Sequence, residues 1–89
     1  MSYTNSEKIK DLMRGTASYT NGEYDETDSG APRVIVQGTY NKFSLVYIAR
    51  SNKWKVFWPF PCTDKPQNKQ YFNNSEDMYK YLKSQGVDF

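Results

Sequence analysis

The sequence predicts an α+β fold: a small antiparallel sheet of three or four strands, with an N-terminal helix and a C-terminal helix packed on one face. Three observations carry this. Apolar residues recur at helical spacing near both ends of the chain. Between them lie three short runs rich in β-branched and aromatic residues, separated by turn residues. The 89 residues make one domain, 1–89, with no internal repeat.

The first helix reads from Thr4 to Gly15. Thr4 and Glu7 fit a capping box, Ile9, Leu12 and Met13 form an apolar stripe, and Gly15 is the expected stop, which confines the helix to 1–15. Residues 16–32, "TASYTNGEYDETDSGAP", are polar and acidic and read as a flexible loop, with a weak hairpin signal at Asn21-Gly22. The sheet occupies 33–74. "RVIVQG" (33–38), "KFSLVYIAR" (42–50) and "KWKVFWPF" (53–60) are its strands, Pro59 ends regular pairing, and "KQYFNN" (69–74) is a short fourth candidate. The second helix spans 74–86. Asn74 is the cap, Asp77 sits in the first turn, and Met78, Tyr81, Leu82 and Gln85 share a face. Gly86 followed by Val87 fits a Schellman stop.

A core this small is marginal, and large aromatics are one remedy. The chain carries 8 Tyr, 5 Phe and 2 Trp, more than a small core needs. With Ser51-Asn52 as a two-residue hairpin loop, Ala49 faces Trp54, Tyr47 faces Val56, Leu45 faces Trp58 and Phe43 faces Phe60. That apolar face is the expected core face, because directly opposed residues share a side of the sheet. The other face then pairs Arg50 with Lys53, Ile48 with Lys55, Val46 with Phe57 and Ser44 with Pro59.

Charge divides the chain more sharply than the net +2 suggests. Residues 1–32 hold Lys8, Lys10 and Arg14 against Glu7, Asp11, Glu23, Asp25, Glu26 and Asp28. Residues 33–69 hold Arg33, Lys42, Arg50, Lys53, Lys55, Lys65 and Lys69 against Asp64 alone. Cations interleaved with aromatics suit a single-stranded nucleic acid: phosphates take Lys and Arg, and unstacked bases take a flat ring, worth about 1–3 kcal/mol each. The expected contacts are Arg50, Lys53, Lys55 and Phe57, extended by Lys42, Tyr40, Lys65 and Lys69. The rival reading is a protein-binding module, such as a phage-type inhibitor or adaptor of a host protein. It would use the acidic residues Glu23, Asp25, Glu26 and Asp28 and the apolar pair Val46 and Ile48.

Enzyme chemistry is not expected. No histidine is present, so the usual Ser-His and Cys-His nucleophile pairs cannot form. Cys62 is the sole cysteine and reads as an incidental thiol; neither a metal nor a cofactor is expected. Glu76 and Asp77 read as first-turn partners of the helix dipole. The lone cysteine and the polar start "MSYTNSEKIK" predict a cytoplasmic protein without a membrane partner.

From Arg33 onward the chain resembles the single-stranded-DNA-binding transcriptional coactivators of the positive-cofactor type and their bacterial and phage relatives. The stretch that carries the resemblance is "KWKVFWPFPCTDKPQNKQYFNNSEDMYKYLKSQ": an aromatic-rich strand, a polar loop with Pro and Lys, a short strand, then Asn-Ser-Glu-Asp opening a helix. "NKQYF" stands where those proteins often have a Lys-Gly pair. The resemblance implies strands that offer basic and aromatic residues to single strands, and a helix that supports a homodimer.

Overall fold

The three central runs pair as strands, and two more strands flank them. A computed structural model describes residues 5–27, 30–58 and 68–89, and every absence stated below refers to these residues. Readings placed on Thr4, Asp28, Pro59, Phe60, Cys62 and Lys65 lie outside them. The elements run α1 (Asn5–Tyr19), β1 (Glu23–Glu26), β2 (Pro32–Gln37), β3 (Lys42–Ile48), β4 (Lys53–Trp58), β5 (Asn68–Phe72) and α2 (Ser75–Ser84). The sheet is a five-stranded antiparallel meander in the order β1-β2-β3-β4-β5. The fold is α+β, with five strands where three or four were expected. No helix is long and apolar enough to cross a membrane.

The added strand comes from the segment expected to be a loop. The helix does not stop at Gly15. It continues because Met13, Thr16, Ala17 and Thr20 are all buried, at spacings that place them on one face. Burial of that stripe outweighs the ~1 kcal/mol that a glycine costs a helix interior. Thr16 and Thr20 also turn their hydroxyls back onto the helix, donating to the Leu12 and Thr16 carbonyls at 3.0 and 2.7 Å. The helix stops where Asn21 adopts a left-handed φ of 56° and the Gly22 amide donates to the Ala17 carbonyl at 2.8 Å. A side chain at Gly22 would strike the Ile35 carbonyl and Val36, so the chain passes flush against β2 and enters β1. Tyr24 turns toward the helices from β1, under the Arg14 guanidinium, 5.0 Å from the ring centre.

The β3–β4 hairpin also differs from expectation. Ile48 pairs with Lys53, so the loop is the four residues 49–52, with Asn52 at φ 52°. Ser44 therefore faces Phe57, Leu45 faces Val56, Val46 faces Lys55 and Tyr47 faces Trp54. Relative to a two-residue loop the register slips by two positions. A slip of one would have inverted the sheet; a slip of two keeps every side chain on its expected face.

Both helices cover that apolar face. α1 lies over β1, β2 and β3, and α2 over β4 and β5. The core joins Met13 and Ala17 of α1 and Met78 and Leu82 of α2 to Val34, Val36, Phe43, Leu45, Trp54 and Val56 of the sheet. Trp54 is buried as expected; Trp58 is half-buried and meets Phe43 edge-on at 5.3 Å. α2 begins at the expected cap, where Asn74 Oδ1 accepts from the Asp77 amide at 2.8 Å. It ends in the expected Schellman turn: the Val87 amide donates to the Leu82 carbonyl at 3.1 Å, Gly86 sits at φ 92°, and Val87 is buried.

Candidate nucleic-acid interface

The helices leave the other sheet face uncovered by secondary structure, and strand alternation decides what it carries. Register orders it in two rows. One reads Glu23, Ile35, Ser44, Phe57, Lys69 from β1 to β5; the next reads Asp25, Arg33, Val46, Lys55, Tyr71. Lys42 pairs with Gln37 at one end of this face, and Ile48 with Lys53 at the other.

The β4–β5 side concentrates the chemistry. Phe57 is opposed to Lys69, and Lys55 to Tyr71. Two aromatics and two lysines thus alternate on a square of four neighbouring positions. The Lys55 ammonium lies over the Phe57 ring, 5.2 Å from its centre, within cation–π range. Lys69 and Tyr71 are exposed, and Lys55 and Phe57 are half-buried.

The other candidate contacts fall around this square. Lys53 is exposed on the same face, at the turn end of β4. Arg50 was expected on the strand opposite Lys53. It lies instead within the 49–52 loop, because the hairpin closes two residues earlier. Lys42 opens β3 at the opposite end. Tyr40 is 91% exposed at the tip of the β2–β3 turn. That turn is braced from within and by the end of α2. The Gly38 amide donates to the Asn41 carbonyl at 2.8 Å, and the Thr39 amide to the Gln85 carbonyl at 2.9 Å. Tyr71 was missed in the sequence. Its signal was the alternation in "NKQYF", which puts it two residues from Lys69 on the same side.

The acidic residues do not form one patch. Glu23 and Asp25 lie on this face at its β1 edge, whereas Glu26 lies on the helix side, 3.8 Å from Lys10. Asp25 takes a 2.7 Å hydrogen bond from Arg33 Nη2, and this contact holds its carboxyl below the usual aspartate range. Arg33 is thereby occupied and does not add to the lysine cluster. Val46 and Ile48, expected as an exposed apolar patch, are half-buried on the central strand β3, opposite Lys55 and Lys53. Ser44 is fully buried, with no hydrogen-bond partner for its hydroxyl.

On the helix side, a separate open cleft of about 340 Å³ lies between α1 and the β3–β4 hairpin. Ile9, Leu12, Tyr47 and Ala49 make it mainly apolar, with Lys8 and Asn52 at its polar positions. No group of three or more His, Cys, Asp or Glu side chains is placed to hold a metal ion. No protein-family model matches the chain, and searches of the curated proteins and of the solved structures return no match.

Proposed function

We propose that the protein is a small non-enzymatic module that grips single-stranded nucleic acid on the helix-free face of its sheet. The observation that carries this reading is the alternation of Phe57 and Tyr71 with Lys55 and Lys69 across β4 and β5. Two rings at a diagonal offer stacking surfaces to successive bases, and each lysine stands beside a ring, where the phosphate linking those bases would pass. Lys53 and Arg50 continue the path at one end, and Lys42 and Tyr40 at the other. The role is the one that the resemblance to positive-cofactor-type coactivators implies, including a homodimer.

A fluorescence anisotropy titration of a labelled single-stranded oligonucleotide tests it. Binding is expected at low salt and is expected to weaken by orders of magnitude between about 50 and 200 mM salt, because each neutralised phosphate releases counterions. Replacing Phe57 and Tyr71 by Ala should weaken binding while leaving the salt slope nearly unchanged. Replacing Lys55 and Lys69 by Ala should flatten the slope by about two contacts' worth. Absence of binding at low salt would sink the reading.

One observation favours a second reading, a protein-binding module. Leu12 is 42% exposed beside the apolar cleft between α1 and the β3–β4 hairpin, as an anchor site for a partner's side chain would require. It predicts capture of a host protein that is lost in Leu12→Asp and unaffected by the lysine substitutions.

A further inference from the structure

The helix-free face is not uniformly basic. Each of its two long rows begins in a carboxylate on β1 and ends in a cation or aromatic on β5. The middle is neutral: Ile35, Ser44 and Val46 are buried or half-buried, and Arg33 is tied to Asp25 at 2.7 Å. Five strands about 4.8 Å apart make a face roughly 19 Å across, and the lysine–aromatic square takes only the two strands at one edge.

That width is a constraint on the ligand. The two phosphate backbones of B-form DNA border grooves about 6 and 12 Å wide. A duplex seated on β4 and β5 with its major groove toward the face would carry its second backbone about 12 Å away, over β2 and about one strand from the exposed Glu23 carboxylate on β1. Displaced the other way, past β5, it would gain no second contact. A single strand has one backbone and stays on the lysines. Like charge set against the wrong ligand is an established way to obtain specificity.

We infer that Glu23, on the same face as the lysine–aromatic square but at its far edge, is a specificity-determining residue that turns this face against duplexes. The inference rests on the single-strand reading above. Asp25 contributes less, since Arg33 compensates its charge. Glu23 is exposed on an edge strand, so its replacement leaves the core intact.

The experiment compares a labelled single-stranded oligonucleotide with a hairpin duplex of the same sequence, at about 50 mM salt, for the wild type, Glu23→Gln and Glu23→Lys. Thermal melts confirm that each variant is folded. Glu23→Lys is expected to raise duplex affinity about fivefold, the scale of one exposed charge pair, with Glu23→Gln intermediate and single-strand affinity changed less than twofold. An equal gain for both ligands, or a gain for neither, overturns the inference while leaving the single-strand reading in place. Failure of the wild type to bind the single strand removes that reading and the inference together.

Discussion

Asp25 and Arg33 show how one residue's environment fixes its role. They pair across β1 and β2. Their 2.7 Å contact removes one cation from the side of the face where charge would otherwise extend the lysine cluster. Arg33 counted as basic in the sequence, and only its partner shows that the charge is spent locally. The pair also gives the fold a pH dependence. The Asp25 pKa is lowered in the folded state, chiefly by the hydrogen bond from Arg33. Its stabilisation is therefore complete above the unfolded aspartate value of about 3.9 and disappears as pH falls through the depressed folded value. Asp25→Asn should be less stable than the wild type at pH 7, by under about 1 kcal/mol because the pair is partly solvated. The gap should close in strong acid. Urea melts across the acid range read this, and a gap that stayed constant below pH 3 would contradict it.

Two glycines separate what an element needs from what its sequence advertises. Gly15 was the obvious stop for α1, yet it lies inside the helix with nothing near the position a Cβ would take. Gly86 closes α2 at φ 92°, and a Cβ there would run into Thr39. Gly15→Ala is expected to stabilise the protein by about 0.5–1 kcal/mol, since only helix propensity changes. Gly86→Ala is expected to destabilise it by more than about 1 kcal/mol, since both the backbone conformation and the space oppose it. Paired thermal melts should move in opposite directions. Two upward shifts would mean that the α2 stop relaxes freely. The β3–β4 hairpin teaches the same lesson: strand alternation was legible, whereas the closing position of its loop was not. Ser51-Asn52 is a weak two-residue turn signal, and Asn52 serves a four-residue loop as its left-handed member.

At the scale of the molecule, the two helices are joined by the C-terminal residues. Tyr19 of α1 meets Tyr79 of α2 with ring centres 4.7 Å apart, and Phe89 packs edge-on against both at 5.5 and 5.8 Å. The Asn21 side chain donates to the Asp88 carbonyl at 3.1 Å, and Val87 is buried in the core. Removing residues 87–89 should cost about 3 kcal/mol, the burial of one valine plus part of a phenylalanine. For a domain of this size that is a large share of its total stability. An unchanged urea midpoint after truncation would mean that each helix is held by the sheet alone.

The sequence alone determined the α+β class, the two helices, the identity of the buried sheet face and the membership of Lys53, Lys55 and Phe57 in the opposite one. These follow from periodicity, and alternation survives the two-residue slip in register because side chains repeat every two positions. The tertiary structure decided what periodicity does not encode. Burial of Met13, Ala17 and Thr20 carried α1 past Gly15, and the Asn21-Gly22 turn brought an acidic segment into the sheet as β1. Pairing of β4 with β5 placed Tyr71 beside Lys55. The sheet also holds the carboxylates of β1 at the opposite edge of the same face, because a meander keeps its strands in chain order and so sets the first and the last of them farthest apart.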